Sequence, residues 1–172
     1  LAAIAIANEI GVPDTAIVKA LSEFKGVERR FQQYGQIKLS IQKSFTLIDD
    51  YGHHPTEIQA TLSTARGVSQ RLIVAFQPHR YSRTQICWNQ FKDAFKDADL
   101  VYLLDIYSAG ESSIDGIHSQ ILAQNIERCE YIGSLKKAEQ VIRNTLRPGD
   151  TLITLGAGSI TKLGPSLIYA NS

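Results

Sequence analysis

An α/β fold built on an open, mostly parallel sheet with helices on both faces is what this sequence of 172 residues predicts. Three observations carry the expectation. Leu-Ile-Val-Ala-Phe at 72–76 and Leu-Val-Tyr-Leu-Leu at 100–104 are continuous apolar runs, the pattern of strands buried on both faces. From Pro55 onward, stretches of helical spacing alternate with such runs, and that alternation means parallel pairing through right-handed crossovers. Polar residues crowd residues 49–57, where a strand gives way to a helix, and open sheets of this kind bind ligands at the carboxyl ends of their strands. The expected architecture is Rossmann-like.

In chain order, residues 1–10 read as a helix rich in Ala and Ile, ended by Gly11. Pro13 and Asp14 open a second helix carrying Ile17, Val18, Leu21 and Phe24 at three-to-four spacing, with Gly26 as its stop. These two short helices need a further surface to cover them, so Ala3, Ile4, Ile6 and Ala7 are expected to be partly exposed without it. Arg29, Arg30 and Phe31 form a hinge-like segment. Residues 37–41 and 45–48 suit strands, joined as a hairpin through residues 42–44. A helix follows over 55–68, with Ile58, Leu62 and Ala65 on one face. The strand at 72–76 comes next, then a helix over 84–96 holding Trp88, Phe91 and Phe95. After the strand at 100–104, the pattern predicts a short helix at 119–125, a strand near Tyr131 and a helix at 135–146. A strand at 151–155 and a helix from Ile160 close the chain.

Composition narrows the function class. A formal net charge of +1 supplies no global field to recruit nucleic acid or an anionic membrane. No apolar run approaches the ~18 residues of a membrane span. Cys87 and Cys129 have no metal or redox spacing, so reduced thiols and a cytoplasmic location are expected. The chain begins at Leu1, contains no Met and opens in an apolar helix without a basic region, which reads as a piece of a longer chain.

The chemistry concentrates in Asp49-Asp50-Tyr51-Gly52-His53-His54-Pro55-Thr56-Glu57, two carboxylates, a phenol and two imidazoles ahead of a helix opened by Pro55. A polar loop capping that helix is the plain alternative. Adjacent histidines reach one ion poorly from a continuous strand, and no third ligand stands at usual spacing, so no metal site is expected. Asp50 suits an acceptor for nucleotide hydroxyls, and His53 a neutral imidazole near an amine. Arg80 and Arg83 are three apart just beyond a buried strand, which places two guanidinium forks on one helical turn, suited to a carboxylate or phosphate. A solvated surface pair is the alternative there. Gly156-Ala157-Gly158-Ser159-Ile160-Thr161-Lys162 lacks the Gly before Lys and the Ser or Thr after it that a phosphate loop requires, and Thr161 breaks the dinucleotide fingerprint. Its glycines permit a tight turn whose amides would face an anion.

The stretch 49–57 resembles the signature opening the third domain of the Mur ligases of peptidoglycan synthesis. Four more blocks agree in order: Gly26-Val27-Glu28-Arg29-Arg30-Phe31, Gln77-Pro78-His79-Arg80-Tyr81-Ser82-Arg83-Thr84, Tyr107-Ser108-Ala109-Gly110-Glu111 and Gly156-Ala157-Gly158. Ser108 departs from the Pro or Ala that the family often carries.

That resemblance implies a domain division, with residues 1–31 as the tail of a central ATPase domain and hinge and residues 32–172 as the C-terminal domain. It implies ATP-dependent activation of a carboxylate as an acyl phosphate, attacked by an amino acid's amine. The likeness is greatest to the alanine-adding branch, with L-alanine and UDP-N-acetylmuramate as substrates. By position, Arg30 and Asp50 resemble residues that hold the nucleotide, and Tyr51, His53, Arg80 and Arg83 resemble the amino-acid pocket, with His53 as proton acceptor. ATP and magnesium are the implied cofactors, the magnesium ligands lying in a central domain outside this chain, as does the UDP-sugar domain. A ligase recycling murein tripeptide and a stand-alone nucleotide-binding module are the other readings.

Overall fold

The structure is a computed structural model describing residues 1–23, 27–40 and 43–169. Phe24 and the expected helix stop at Gly26 lie outside the described residues, as does Gln42 in the expected hairpin turn. Helices α1 (Ala2–Glu9) and α2 (Asp14–Glu23) come first, and neither buries a residue. Ile6 is 63% exposed, and Ile4 and Ala7 are half-buried, which is the partial exposure expected of two apolar helices with little to pack against.

Strand β1 (Gln32–Ser40) pairs antiparallel with β2 (Lys43–Asp50), and both run longer than the apolar residues alone predict. The extra length is polar edge. β1 is the outer strand, bulged between Gln33 and Gly35 and again between Lys38 and Ser40, devices that blunt an exposed sheet margin. Helix α3 (Pro55–Arg66), strand β3 (Leu72–Phe76), strand β4 (Leu100–Leu104) and strand β6 (Thr151–Leu155) stand where the pattern puts them. So do α6 (Ser119–Ala123), β5 (Cys129–Gly133) and α7 (Leu135–Thr145), within two residues at their ends. The single helix expected over 84–96 is two: α4 (Tyr81–Ile86) and α5 (Trp88–Ala94), bent at Cys87. The first begins earlier because the Arg80 carbonyl accepts both the amide and the hydroxyl of Thr84, at 3.1 and 2.8 Å. The second packs Phe91 on Phe76, ring centroids 5.5 Å apart, while α4 stays over the strand ends. A 3₁₀ turn (Ser159–Lys162) precedes α8 (Leu163–Tyr169), where one helix from Ile160 was expected.

The six strands run in the order β1-β2-β6-β3-β4-β5, parallel except for β1. The connections β2–β3, β3–β4 and β4–β5 all step the same way across the sheet. Right-handed crossovers therefore put α3, α5 and α6 on one face. There Ile58, Leu62, Phe91 and Leu122 meet Ile48, Val74, Phe76 and Leu103. The return from β5 to β6 steps backward, so α7 takes the other face, joined by α8: Ala138, Ile142 and Leu167 cover Leu47, Ile73 and Leu152. All five residues of β3 and of β6 are buried, as central strands between two helical layers must be. This is the open, mostly parallel Rossmann-like sheet that the sequence predicts.

Candidate active site

One end of the sheet gathers the carboxyl ends of β2, β6, β3 and β4, and four loops meet there. The loop from β2 to α3 is shaped by a reciprocal cap. His54 Nδ1 accepts the Thr56 amide at 3.3 Å, and the Glu57 carboxylate accepts the amides of His53 and His54 at 3.0 and 3.1 Å. With Pro55 at the first helical position, these bonds satisfy donors that a helix start leaves open. His54 is thereby a helix cap, the plain alternative for half of this polar stretch. His53 is freed for the space in front of the sheet.

His53 has two aromatic neighbours. Tyr51 meets it edge-on with centroids 5.5 Å apart, and the His79 ring lies 5.8 Å away. Its Nδ1 is 3.2 Å from the Tyr51 carbonyl. In a neutral ring that contact places the hydrogen on Nδ1 and leaves Nε2 as the acceptor. His79 stacks on Tyr107 at 5.5 Å and 25°, and Arg83 Nη1 approaches its Nδ1 at 3.4 Å.

Burial first, then the charges of Arg83, His53 and Arg80, push the His79 imidazole below its ordinary value of 6.5, against the opposing pull of Glu111. The ring is neutral at pH 7. Because the native value is depressed, the unfolded chain binds more protons just below pH 6.5. The stability contributed by neutral His79 is complete above that pH and is lost as pH falls toward the native value. The thermal midpoint of the chain should therefore drop more between pH 7.5 and 5 than that of His79→Gln. Parallel curves for the two proteins would remove His79 as the cause.

Arg80 caps α4 with φ 71° and ψ 139°, a conformation that costs a residue with a side chain on the order of 1–3 kcal/mol. It is held there by its amide on the Tyr107 carbonyl at 2.8 Å, while Tyr107 donates to the Pro78 carbonyl at 2.8 Å. Because Arg80 is a cap, helical spacing does not govern its side chain. The two guanidiniums accordingly engage different partners: Arg83 faces His79, whereas Arg80 is half-exposed with Nη1 3.9 Å from Glu111. Glu111 also accepts the Ser82 amide and hydroxyl at 3.0 and 2.7 Å, fixing the start of α4.

The Gly-rich turn after β6 is built differently from its sequence expectation. Gln77 Oε1 takes the Ile160 amide at 2.9 Å, so that amide is closed to an anion. The glycines answer to crowding instead. A Cβ on Gly156, at φ 139°, would sit 2.7 Å from the Gln77 carbonyl oxygen, and one on Gly158 would sit 2.6 Å from Tyr107 Cγ.

On the hinge side, Asp50 spends one carboxylate oxygen on the Phe31 amide at 2.7 Å and the other on the Gly52 amide at 2.6 Å. Each oxygen keeps a lone pair for a further donor. Arg30 is exposed on the same segment. Beside it Arg29 is inserted against Asp49, with Nε to Oδ2 at 2.7 Å. Among the described residues, no group of three or more His, Cys, Asp or Glu is placed to hold a metal ion.

The sequence-predicted residues thus fall into two groups. Tyr51, His53 and Arg83 converge, with Arg80 at the rim; Asp50 and Arg30 sit toward the hinge. The sequence alone puts His79 in the ligand-facing loop beside Arg83 without a specific role, and assigns none to Tyr107, Gln77, Glu111 or the Arg29–Asp49 pair. Their signal was present, since His79, Tyr107, Gln77 and Glu111 stand directly after β3 and β4, at the ends that form the site.

A family profile described as Mur ligase, glutamate ligase domain, matches residues 29–158. The chain belongs to the Mur ligase family. Among curated relatives of this Mur ligase chain, UDP-N-acetylmuramate–L-alanine ligase of Nitrosomonas eutropha is 47% identical over 97% of the chain. The protein of the same name from Nitrosomonas europaea is 49% identical over 97%. In both cases the chain spans 37% of the relative's length. Among solved structures, UDP-N-acetylmuramate-alanine ligase of Thermotoga maritima superposes with a TM-score of 0.73 at 26% identity, covering 98% of this chain and 35% of that one. A murein peptide ligase from Psychrobacter arcticus has a TM-score of 0.65 at 23% identity, covering 98% and 35%. The latter speaks for the fold alone.

Proposed function

We propose that this chain is the C-terminal part of an ATP-dependent ligase that joins L-alanine to the lactyl carboxylate of UDP-N-acetylmuramate. The observation that carries the reading is the convergence of Tyr51, His53, His79 and Arg83 at the strand ends, in a chain 44–49% identical to ligases of that name. The arrangement suits a small zwitterion. Arg83 and Arg80 offer forks for its carboxylate, and the imidazoles of His53 and His79 offer ring nitrogens beside its amine. An ammonium held among guanidinium groups is pushed toward losing its proton, and His53, through Nε2, takes it. The amine so freed would attack the carboxyl carbon of the acyl phosphate, forming the C–N bond as the C–O bond to phosphate breaks and inorganic phosphate leaves. Tyr51 closes one side of the pocket and, with domain closure, excludes water from a hydrolysable intermediate.

ATP supplies the phosphoryl group that activates the carboxylate. Asp50, with a lone pair left on each oxygen, and the exposed Arg30 fit a nucleotide's hydroxyl and phosphate ends from the hinge side. The phosphate loop and the magnesium ligands are assigned to a central domain outside this chain. The apolar groove of about 190 Å³ between α1 and α2, lined by Ala3, Ile4, Ala7 and Ile17, is assigned to contact with that domain. A cytoplasmic location goes with this reading. Among the described residues, no helix is long and apolar enough to cross a membrane.

Phosphate release tests the reading. The chain of 172 residues alone should release none. The intact ligase should release it only with UDP-N-acetylmuramate and L-alanine both present. Release by the isolated chain, or a preference of the intact enzyme for murein tripeptide over L-alanine, would overturn the assignment.

A further inference from the structure

We propose that Arg29 is a positioning residue that sets the amino-acid pocket from the hinge, acting through Tyr51; the proposal rests on the reading of Tyr51 as part of that pocket. Arg29 grips this end of the domain through its amide, its carbonyl, Nε and Nη2. Its Nε donates to Asp49 Oδ2 at 2.7 Å and its Nη2 to the Gly156 carbonyl at 2.6 Å. Its amide donates to Gln32 Oε1 at 2.8 Å, and its carbonyl accepts the Tyr51 amide at 2.6 Å. The guanidinium also lies 5.4 Å from the centre of the Tyr51 ring, within range of a cation–π contact. Tyr51 is thus held at both ends, its backbone by the Arg29 carbonyl and its ring by the Arg29 guanidinium.

The grip is aimed. Asp49 is 3% exposed and takes a second bond from Thr154 Oγ1 at 2.6 Å, so the carboxylate is immobile and Arg29 has one place to go. The backbone of Arg29 turns through φ 58° to make these bonds at once, a left-handed conformation uncommon for a residue with a side chain. Tyr51, by contrast, is 42% exposed, so burial alone fixes its ring poorly. Its edge-on contact with His53 at 5.5 Å is supported by Arg29, whose guanidinium lies 5.4 Å from the centre of the same ring. A bonded clip of this kind joins the hinge segment to the pocket. Any movement of the hinge that withdraws Arg29 releases Tyr51 from His53.

Lysine keeps a charge toward Asp49 but cannot bond Asp49 and the Gly156 carbonyl with a planar fork, nor lie flat on the ring. Two measurements on Arg29→Lys separate positioning from mere stability. In the isolated chain, the His53 ring-proton resonances should shift as Tyr51 leaves its place, while those of His118 stay. In the intact ligase the KM for L-alanine should rise about tenfold, the size of one charge-assisted contact, with the KM for UDP-N-acetylmuramate unchanged. Tyr51→Leu should raise the L-alanine KM by itself, and adding Arg29→Lys to it should raise it no further, because the two act as one unit. Unmoved His53 resonances, or effects of the two substitutions that multiply, would overturn the proposal and leave Arg29 a structural clasp. An unchanged L-alanine KM in Tyr51→Leu would instead strike the amino-acid-pocket reading, and the proposal would fall with it.

Discussion

Replacing Arg83 by Lys in the intact ligase should raise the KM for L-alanine roughly ten- to a hundredfold, the worth of a hydrogen bond to a charged group at about 1.5–3 kcal/mol. The charge survives the change, but the two-point planar contact with a carboxylate does not. The KM values for ATP and UDP-N-acetylmuramate should hardly move, because neither ligand is assigned to this residue. Arg80→Lys should act in the same direction and less strongly. Arg80 is half-exposed and engaged with Glu111, so solvent and that carboxylate screen its contact, whereas Arg83 is inside the cluster against His79. Arg83→Gln adds a separate signature. It removes one of the charges that push His79 down, so the acid limb of the pH profile should move to higher pH, and in Arg83→Lys it should stay. Varying each substrate in turn decides the matter. A rise confined to ATP would make the pair a phosphate site, and no rise at all would make these arginines surface charges.

What the sequence made legible, and what it hid, divides along a physical line. Buried strands declare themselves because both faces are apolar: β3 and β6 stand at the residues their runs predict. The place of the site was legible for the same reason, since parallel strands align their carboxyl ends and the polar stretches follow them. Residue roles within it were less so. Arg80 and Arg83 look like a helical pair by spacing, yet Arg80 is a cap at positive φ, and only the Tyr107–Arg80 backbone pairing across two loops shows it. Asp49 and Asp50 are adjacent and alike in sequence. Strand alternation sends one inward to Arg29 and Thr154 and the other toward the hinge amides. The turn at 156–162 is legible only in part. Its glycines permit the tight turn expected of them, but the sequence hides that Gln77 takes the Ile160 amide and that Gln77 and Tyr107, 79 and 51 positions away from Gly156 and Gly158 by their numbering, leave no room for a side chain. Sequence spacing carries no trace of such an encounter.

Those two glycines support the other large effect expected of this domain. In Gly158→Ala the new carbon would stand 2.6 Å from Tyr107 Cγ, 2.7 Å from its Cβ and 2.7 Å from Gln77 Oε1, all inside contact distance. The offending atoms are the root of the tyrosine side chain rather than its flexible end, and the Tyr107 backbone is bonded on both sides to Pro78 and Arg80. Relief therefore requires moving the loop that holds His79. Overpacking of this kind costs about 1–3 kcal/mol. Gly156→Ala adds a second penalty, since φ 139° is a conformation essentially reserved for glycine and the contact there is with the Gln77 backbone oxygen at 2.7 Å. Together the two costs come to about 2–6 kcal/mol. For a domain of this size each kcal/mol lowers Tm by roughly 2–4 °C. Gly164→Ala supplies the contrast. Its new carbon meets Leu47 at an ordinary 3.5 Å at the start of α8, so no comparable crowding arises, and the following Pro165 offsets what helix propensity an Ala would add. Thermal unfolding of the chain should thus rank Gly164→Ala near the parent, then Gly158→Ala, with Gly156→Ala lowest. A Gly156→Ala protein melting with the parent would show that this turn yields freely and that its glycines answer to something other than crowding.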